Sequence, residues 1–254
     1  MRYIKSFAND SAIQEAVDNK TLGKPYVALN ESAGTIDWNG KDIDYSKMYL
    51  TIEALKDGDF YIKKNDTEHS VNGGDWVYGK ATLSLSKGDT VRLKGTAGGR
   101  GCFSGNTLDF NVYGNIESLE YGDDFIGKTN FVNLRPYADM FKYCNMLINS
   151  ENLVLPVTTL NSECYANMFE GCTGLITAPN LPAGVLANRC YKWMFFNCNS
   201  LNYIKCLATD ISVSDCLNAW VGGVSPTGTF VKKAGVEWST GASGIPDGWT
   251  VIEE

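Results

Sequence analysis

Eight cysteines and a single histidine are the residues of this 254-residue chain with the most obvious chemical reach. Seven of the thiols sit at 144, 164, 172, 190, 198, 206 and 216, and Cys102 stands apart. A thiolate metal site wants close pairs such as C-x-x-C, and the chain has none. The recurring spacing of eight residues, Cys164 to Cys172 and Cys190 to Cys198, instead suggests thiols lined up in rows as small buried apolar groups. His69 lies in the polar stretch Asn65-Asp66-Thr67-Glu68, which reads as a solvated loop and offers no partner for a general base. Asp123-Asp124 and Glu253-Glu254 are adjacent carboxylates, a spacing that implies no shared catalytic site, so they read as solvated or capping residues. Asp57-Gly58-Asp59 lacks the further ligands of a calcium loop and reads as a turn. Gly98-Gly99-Arg100-Gly101 lacks the Lys and Ser/Thr of a phosphate cradle and reads as a flexible loop, with Arg100 a possible contact residue. The expectation is therefore no catalytic residue, no cofactor and no metal.

Composition narrows the class. Hydrophobic residues at 44% and charged residues at 20% suit an ordinary folded chain, while 26 glycines and 12% aromatics favour strands and tight turns. A net charge of −7 repels phosphate backbones, which argues against a nucleic-acid partner. No apolar run approaches membrane-spanning length. The first ten residues, MRYIKSFAND, lack the apolar region of a secretory signal, so the expectation is synthesis and retention in a cytosol with reduced thiols.

Three regions differ in pattern. In residues 1–41, Asn9, Asp10 or Ser11 can cap a short helix through Ala12 to Val17, and Pro25–Leu29 and Thr35–Trp38 read as a hairpin. Residues 42–113 alternate in short segments at Met48–Ala54, Phe60–Ile62, Ala81–Leu85 and Thr90–Leu93. Turns at Asp57-Gly58, Gly73-Gly74, Lys87-Gly88 and Gly98-Gly99 space them as in an antiparallel β-sandwich.

Residues 114–254 carry an internal repeat. Met140-Phe141-x-x-Cys144-x-x-Leu147 recurs from Met168 and again from Met194, at offsets of 28 and then 26 residues. Leu155-Pro156 recurs as Leu181-Pro182, and Cys164-Tyr165 as Cys190-Tyr191, with Cys216-Leu217 and Trp220 as an echo. That period lies in the leucine-rich-repeat range, and predicts a solenoid with a short strand near Leu175-Ile176 and a helical arc through Tyr165–Phe169 in each coil. Phe125–Leu134 is expected to close one end; strands at Gly228–Val231 and Trp249–Ile252, with Trp238 and Trp249, are expected to close the other. Phe141, Phe169 and Phe195 repeat with the period and read as core. Tyr137, Tyr165 and Tyr191 repeat too, as core or as one aromatic face. Trp76, Tyr78 and Tyr121 do not repeat and are freer to be surface.

The units C-Y-x-x-M-F-x-x-C-x-x-L with L-P-x-x-x-L resemble BspA-like leucine-rich repeats of Bacteroidetes and their viruses. Phe110–Leu119 is similar to the usual opening of such arrays, and Ser225–Lys233 with Gly244–Val251 to their close; about three full units and long steps depart from the common form. Tyr3–Gln14, Lys24–Leu29 and Ile36–Asn39 resemble N-terminal segments of virion proteins from phages of Bacteroides, including crAss-like phages. The resemblance implies a non-enzymatic head fibre or capsid decoration located on the virion. Its anchor would be residues 1–41, with Tyr3, Ile4, Phe7, Tyr26 and Trp38 docking on capsid or other virion proteins. It further implies a homo-oligomer, a trimer being the first expectation, and a repeat domain facing a host-surface glycan or protein. The competing readings are a bacterial cell-surface adhesin, which predicts a leader, and a phage tail appendage. A glycan hydrolase is opposed by the lone histidine and the missing carboxylate motif.

Overall fold

The computed structural model describes residues 43–254, so the expected helix, hairpin and anchor residues Tyr3, Ile4, Phe7, Tyr26 and Trp38 lie outside the described residues. The described chain is mainly strands and turns. The strands before residue 116 are β1 (Leu50–Ala54), β2 (Gly58–Ile62), β3 (Thr67–Val71), β4 (Val77–Tyr78), β5 (Ala81–Leu85), β6 (Thr90–Gly95) and β7 (Phe110–Asn115). β3, β6, β1 and β7 lie side by side, with β4 at the edge, while β2 and β5 form a separate antiparallel pair. Alternation drives this arrangement: Leu50, Ile52 and Ala54 of β1 are buried, and Ile52 is flanked by Val91 of β6 and Val112 of β7. Phe60 of β2 joins the two sheets, its ring 5.5 Å from Phe110 and 5.4 Å from Phe103.

The reading of His69 as a loop residue fails in this half. The segment holding His69 is not a loop but strand β3, paired with β6 through His69↔Leu93 and with β4 through His69↔Val77. Its composition is polar, yet strands on both sides satisfy its backbone, which decides the matter over propensity.

The boundary drawn at 113/114 falls inside β7. That strand pairs antiparallel with β1 on one edge and parallel with β8 (Leu147–Asn149) and β9 (Leu153–Val154) on the other. Parallel pairing then continues from Asn149 to Thr177 to Tyr203, and through β10 (Tyr203–Cys206), β11 (Thr229–Lys232) and β12 (Thr250–Glu253). A single hydrophobic core runs from Leu50 to Trp249.

On the opposite side of each repeat the expected helical arcs are absent. The only α-helix among the described residues is α1 (Ser118–Tyr121). Each arc is a run of turns with every fourth residue left-handed: Arg135, Asp139 and Tyr143; Glu163, Asn167 and Gly171; Arg189, Trp193 and Asn197; Asp215, Ala219 and Gly223. Alternate amides bond in two directions. Met140 N and Cys144 N donate within the arc to Tyr137 O and Phe141 O, whereas Phe141 N and Tyr143 N donate to Met168 O and Glu170 O of the next arc. The same pattern carries Phe169 N to Met194 O and Phe195 N to Trp220 O. A continuous helix would bond its amides internally beyond the first turn; half of these donors leave the arc instead, so adjacent repeats become the hydrogen-bond partners.

Aromatic rings follow the same register. Phe141, Phe169 and Phe195 stack at 5.5 and 5.6 Å, and Tyr137, Tyr165 and Tyr191 at 5.8 and 6.1 Å. All six are buried, which resolves the tyrosines as core. Each such ring contributes about 2–3 kcal/mol by leaving water.

Both ends are sealed by backbone. Gly101 N donates to Ala138 O and Phe103 N to Met140 O, while Phe103 stacks on Phe141 at 5.4 Å, so residues 98–103 imitate a preceding arc. This corrects the expected flexible loop. Gly98 and Gly99 are buried against the first arc, where a Cβ on Gly98 would meet Pro136 O at 2.6 Å. At the far end Val221 N donates to Ala242 O, Trp220 Nε1 to Gly244 O, and Trp238 packs on Trp220.

Candidate binding surface

The reactive groups face inward. His69 is 4% exposed, its Nδ1 has no partner, and burial pushes its imidazole pKa down. All eight thiols are free and buried. The sulfurs of Cys144, Cys172 and Cys198 lie 3.0, 3.0 and 2.9 Å from the carbonyls of Phe103, Phe141 and Phe169, repeating one contact along the stack. Burial pushes Cys144 up to about 12, and Cys102, Cys190 and Cys206 likewise to about 12. Such groups remain thiols and make poor nucleophiles or metal ligands. Among the described residues no cluster of three or more His, Cys, Asp or Glu could hold a metal ion.

The singled-out charged residues do not converge. Asp123 accepts from Tyr49 Oη at 2.7 Å and from Lys94 Nζ at 2.9 Å, contacts that hold its carboxyl below the usual range. Glu253 pairs with Lys232 and Glu254 with Lys205, at the edge formed by β12. Arg100 is exposed on the sealing segment. Trp76 is half-buried, with Lys94 Nζ 4.5 Å and Arg92 Cζ 5.3 Å from its ring centroid, while Tyr78 is exposed.

A group that sequence reading missed is Glu117. It follows β7 and is 0% exposed, and its carboxylate oxygens make no hydrogen bond of good geometry, with only the Tyr137 hydroxyl and the Glu120 carboxylate close by. Burial first, and then repulsion from Glu120, raises its pKa to about 8. Glu120 accepts from Val132 N at 3.0 Å and Asn133 N at 2.9 Å, and Phe131 beside them packs on Tyr137 and Tyr165. A value raised to about 8 favours the protonated carboxyl of Glu117 at neutral pH.

The outer face of the arcs is organised differently. Equivalent positions of successive arcs form columns there. One alternates in charge, with Arg135 bridged to Glu163 at 2.7 Å, Glu163 to Arg189 at 3.6 Å and Arg189 to Asp215 at 3.5 Å. A second runs Asp139, Asn167, Trp193, Ala219, and a third Tyr143, Gly171, Asn197, Gly223; every member has positive φ. Gly, Asn and Asp tolerate that conformation, whereas Trp193 and Tyr143 each incur about 1 kcal/mol or more. Both are exposed as well, Tyr143 at 59% and Trp193 at 37%.

These aromatics belong to one surface. Tyr143 donates its hydroxyl to Glu170 Oε1 at 3.0 Å, and Lys142 reaches Glu170 Oε2 at 2.8 Å. The Tyr143 ring lies over Gly171, whose amide bonds Phe196 O, and Phe196 stacks on Trp193 at 5.8 Å. Phe196 in turn covers Gly222 of the last arc. A sequence signal for the pair exists in retrospect: aromatics at repeat positions otherwise filled by Gly, Asn, Asp or Ala.

Set against known proteins, this chain matches no family model, no curated protein and no solved structure.

Proposed function

We propose that the chain is a non-enzymatic structural and binding protein of a phage virion. In this reading it is a head fibre or capsid decoration, mounted through residues 1–41 and displaying BspA-like leucine-rich repeats towards a host or other surface. The observation that carries the non-enzymatic part is the inward placement of His69 and all eight thiols, while the outer arc columns hold unreactive aromatics and paired charges. The repeat register supports the solenoid reading: each arc is bonded to the next through its backbone, as expected of units that bury their apolar faces only by stacking. The motif resemblance supports the virion assignment, and a homo-oligomer, a trimer in the first instance, follows from fibres sitting on symmetry axes.

Gold-labelled antibody imaging of purified phage particles and of uninfected bacteria tests the proposal. Label on particle heads is the expected result, and label on tails moves the mounting site to a tail appendage. Label confined to bacterial surfaces overturns the virion reading in favour of a cell-surface adhesin. Glycan turnover by the recombinant chain, lost on mutating Asp123 and Asp124, would overturn the non-enzymatic assignment.

A further inference from the structure

We infer that Trp193, Phe196 and Tyr143 form a binding site for a neutral oligosaccharide on the outer face of the arcs. The rings are spread along successive arcs: Tyr143 rests on Gly171, Gly171 N bonds Phe196 O through the main chain, and Phe196 stacks on Trp193. The fold alone does not call for these side chains. At the Trp193 position the other arcs carry Asp139, Asn167 and Ala219, and at the Tyr143 position Gly171, Asn197 and Gly223. No other arc carries a ring at either position, so exposed rings at these two point to selection for contact with something outside the chain.

The chemistry around the rings specifies the class of ligand. Aromatic rings offer apolar surface to the C–H faces of a sugar, and nearby amides supply donors and acceptors for its hydroxyls. Asn197 is exposed beside the rings, and Asn167, whose Nδ2 donates to Asp139 Oδ1 at 2.8 Å, keeps its carbonyl oxygen for a further donor. Charge is balanced: Glu170 takes both the Lys142 ammonium and the Tyr143 hydroxyl, which fixes that ring in place. Lys192 lies 5.0 Å from the Trp193 ring centroid and is the remaining cation of the patch. An anionic polymer would want a cluster of uncompensated cations, and a protein partner a broader apolar area than rings interrupted by Lys, Glu and Asn. Tyr143, Phe196 and Trp193 are the contact residues, and Glu170 is a positioning residue. The site does not depend on where the chain is mounted, so its failure and that of the virion reading are separable.

The test is calorimetric titration of the full chain with four hexasaccharides: N-acetylglucosamine-, xylose-, mannose- and glucose-based. At least one is expected to bind, with Trp193→Ala weakening it about tenfold and Tyr143→Ala several-fold. Trp193→Tyr should retain most of the affinity, because the platform survives. Trp193→Ala is safe for folding, since Ala219 occupies the equivalent position in the next arc with φ 46°. Val185→Ala, exposed elsewhere in the repeats, should change nothing. Binding of none of the four at millimolar concentration, or binding indifferent to both Trp193→Ala and Tyr143→Ala, overturns the inference.

Discussion

Replacing Glu117 by Gln separates the burden of a buried acid from everything else that titrates. Glu117 holds its proton up to about pH 8 in the folded chain, against an ordinary value of 4.5. Between those two values the unfolded chain has released the proton and the folded chain has not. Stability therefore falls as pH rises through this window, by about 1.4 kcal/mol per unit, and flattens above about pH 8. The accumulated loss is about 3–5 kcal/mol, a large share of a typical domain's net stability. Glutamine has nearly the same shape and no charge to bury, so the variant lacks this loss. Its buried amide adds an unsatisfied donor worth about 1–3 kcal/mol, but that cost is independent of pH. Urea unfolding followed by tryptophan fluorescence at pH 4.5, 6, 7, 8 and 9 provides the assay, with Trp220 a fully buried reporter. Taking the difference between the two proteins cancels Asp123, Glu253 and other groups whose folded values are lowered and whose stabilisation runs the other way. The variant should gain on the parent by about 3–5 kcal/mol between pH 4.5 and 8. A difference that stays flat across that range would refute the reasoning.

Phe169→Ala, in the middle of the stacked phenylalanine column, should cost about 3–5 kcal/mol in chemical denaturation, because the rings on either side cannot close the gap. Gly171→Ala places a Cβ 2.4 Å from the Tyr143 ring at a φ of +71°, and should cost about 2 kcal/mol or more by thermal unfolding. Adding Tyr143→Ala should recover the steric part and leave about 1 kcal/mol of backbone strain, measured as a double-mutant cycle. Cys172 and Cys198, pushed up by burial, should resist iodoacetamide at pH 8 in the native state and react fully in urea, as read by mass spectrometry.

Some of this was determined by the sequence itself. The 28- and 26-residue offsets place Phe141, Phe169 and Phe195 in one column and Cys144, Cys172 and Cys198 in another, because a repeated unit that stacks puts equivalent residues in register. Alternation likewise located β1, β2, β5 and β6, and Gly73 and Gly88 their turns. Other features depended on partners distant in the chain. Thr67–Val71 is a strand because β4 and β6 flank it, not because of its composition. The arcs are turns because half their amides bond the next repeat, whereas apolar spacing alone equally suits a helix. Gly98–Gly101 reads as a flexible loop until the first arc accepts the amides of Gly101 and of Phe103 just beyond it. Glu117 is an ordinary glutamate in the sequence and becomes a neutral acid only once the core closes over it. The aromatic patch follows the same rule. Trp193 and Tyr143 are two unrelated residues until the register of the arcs sets both on their outer face, since only tertiary contacts decide which surfaces are brought together.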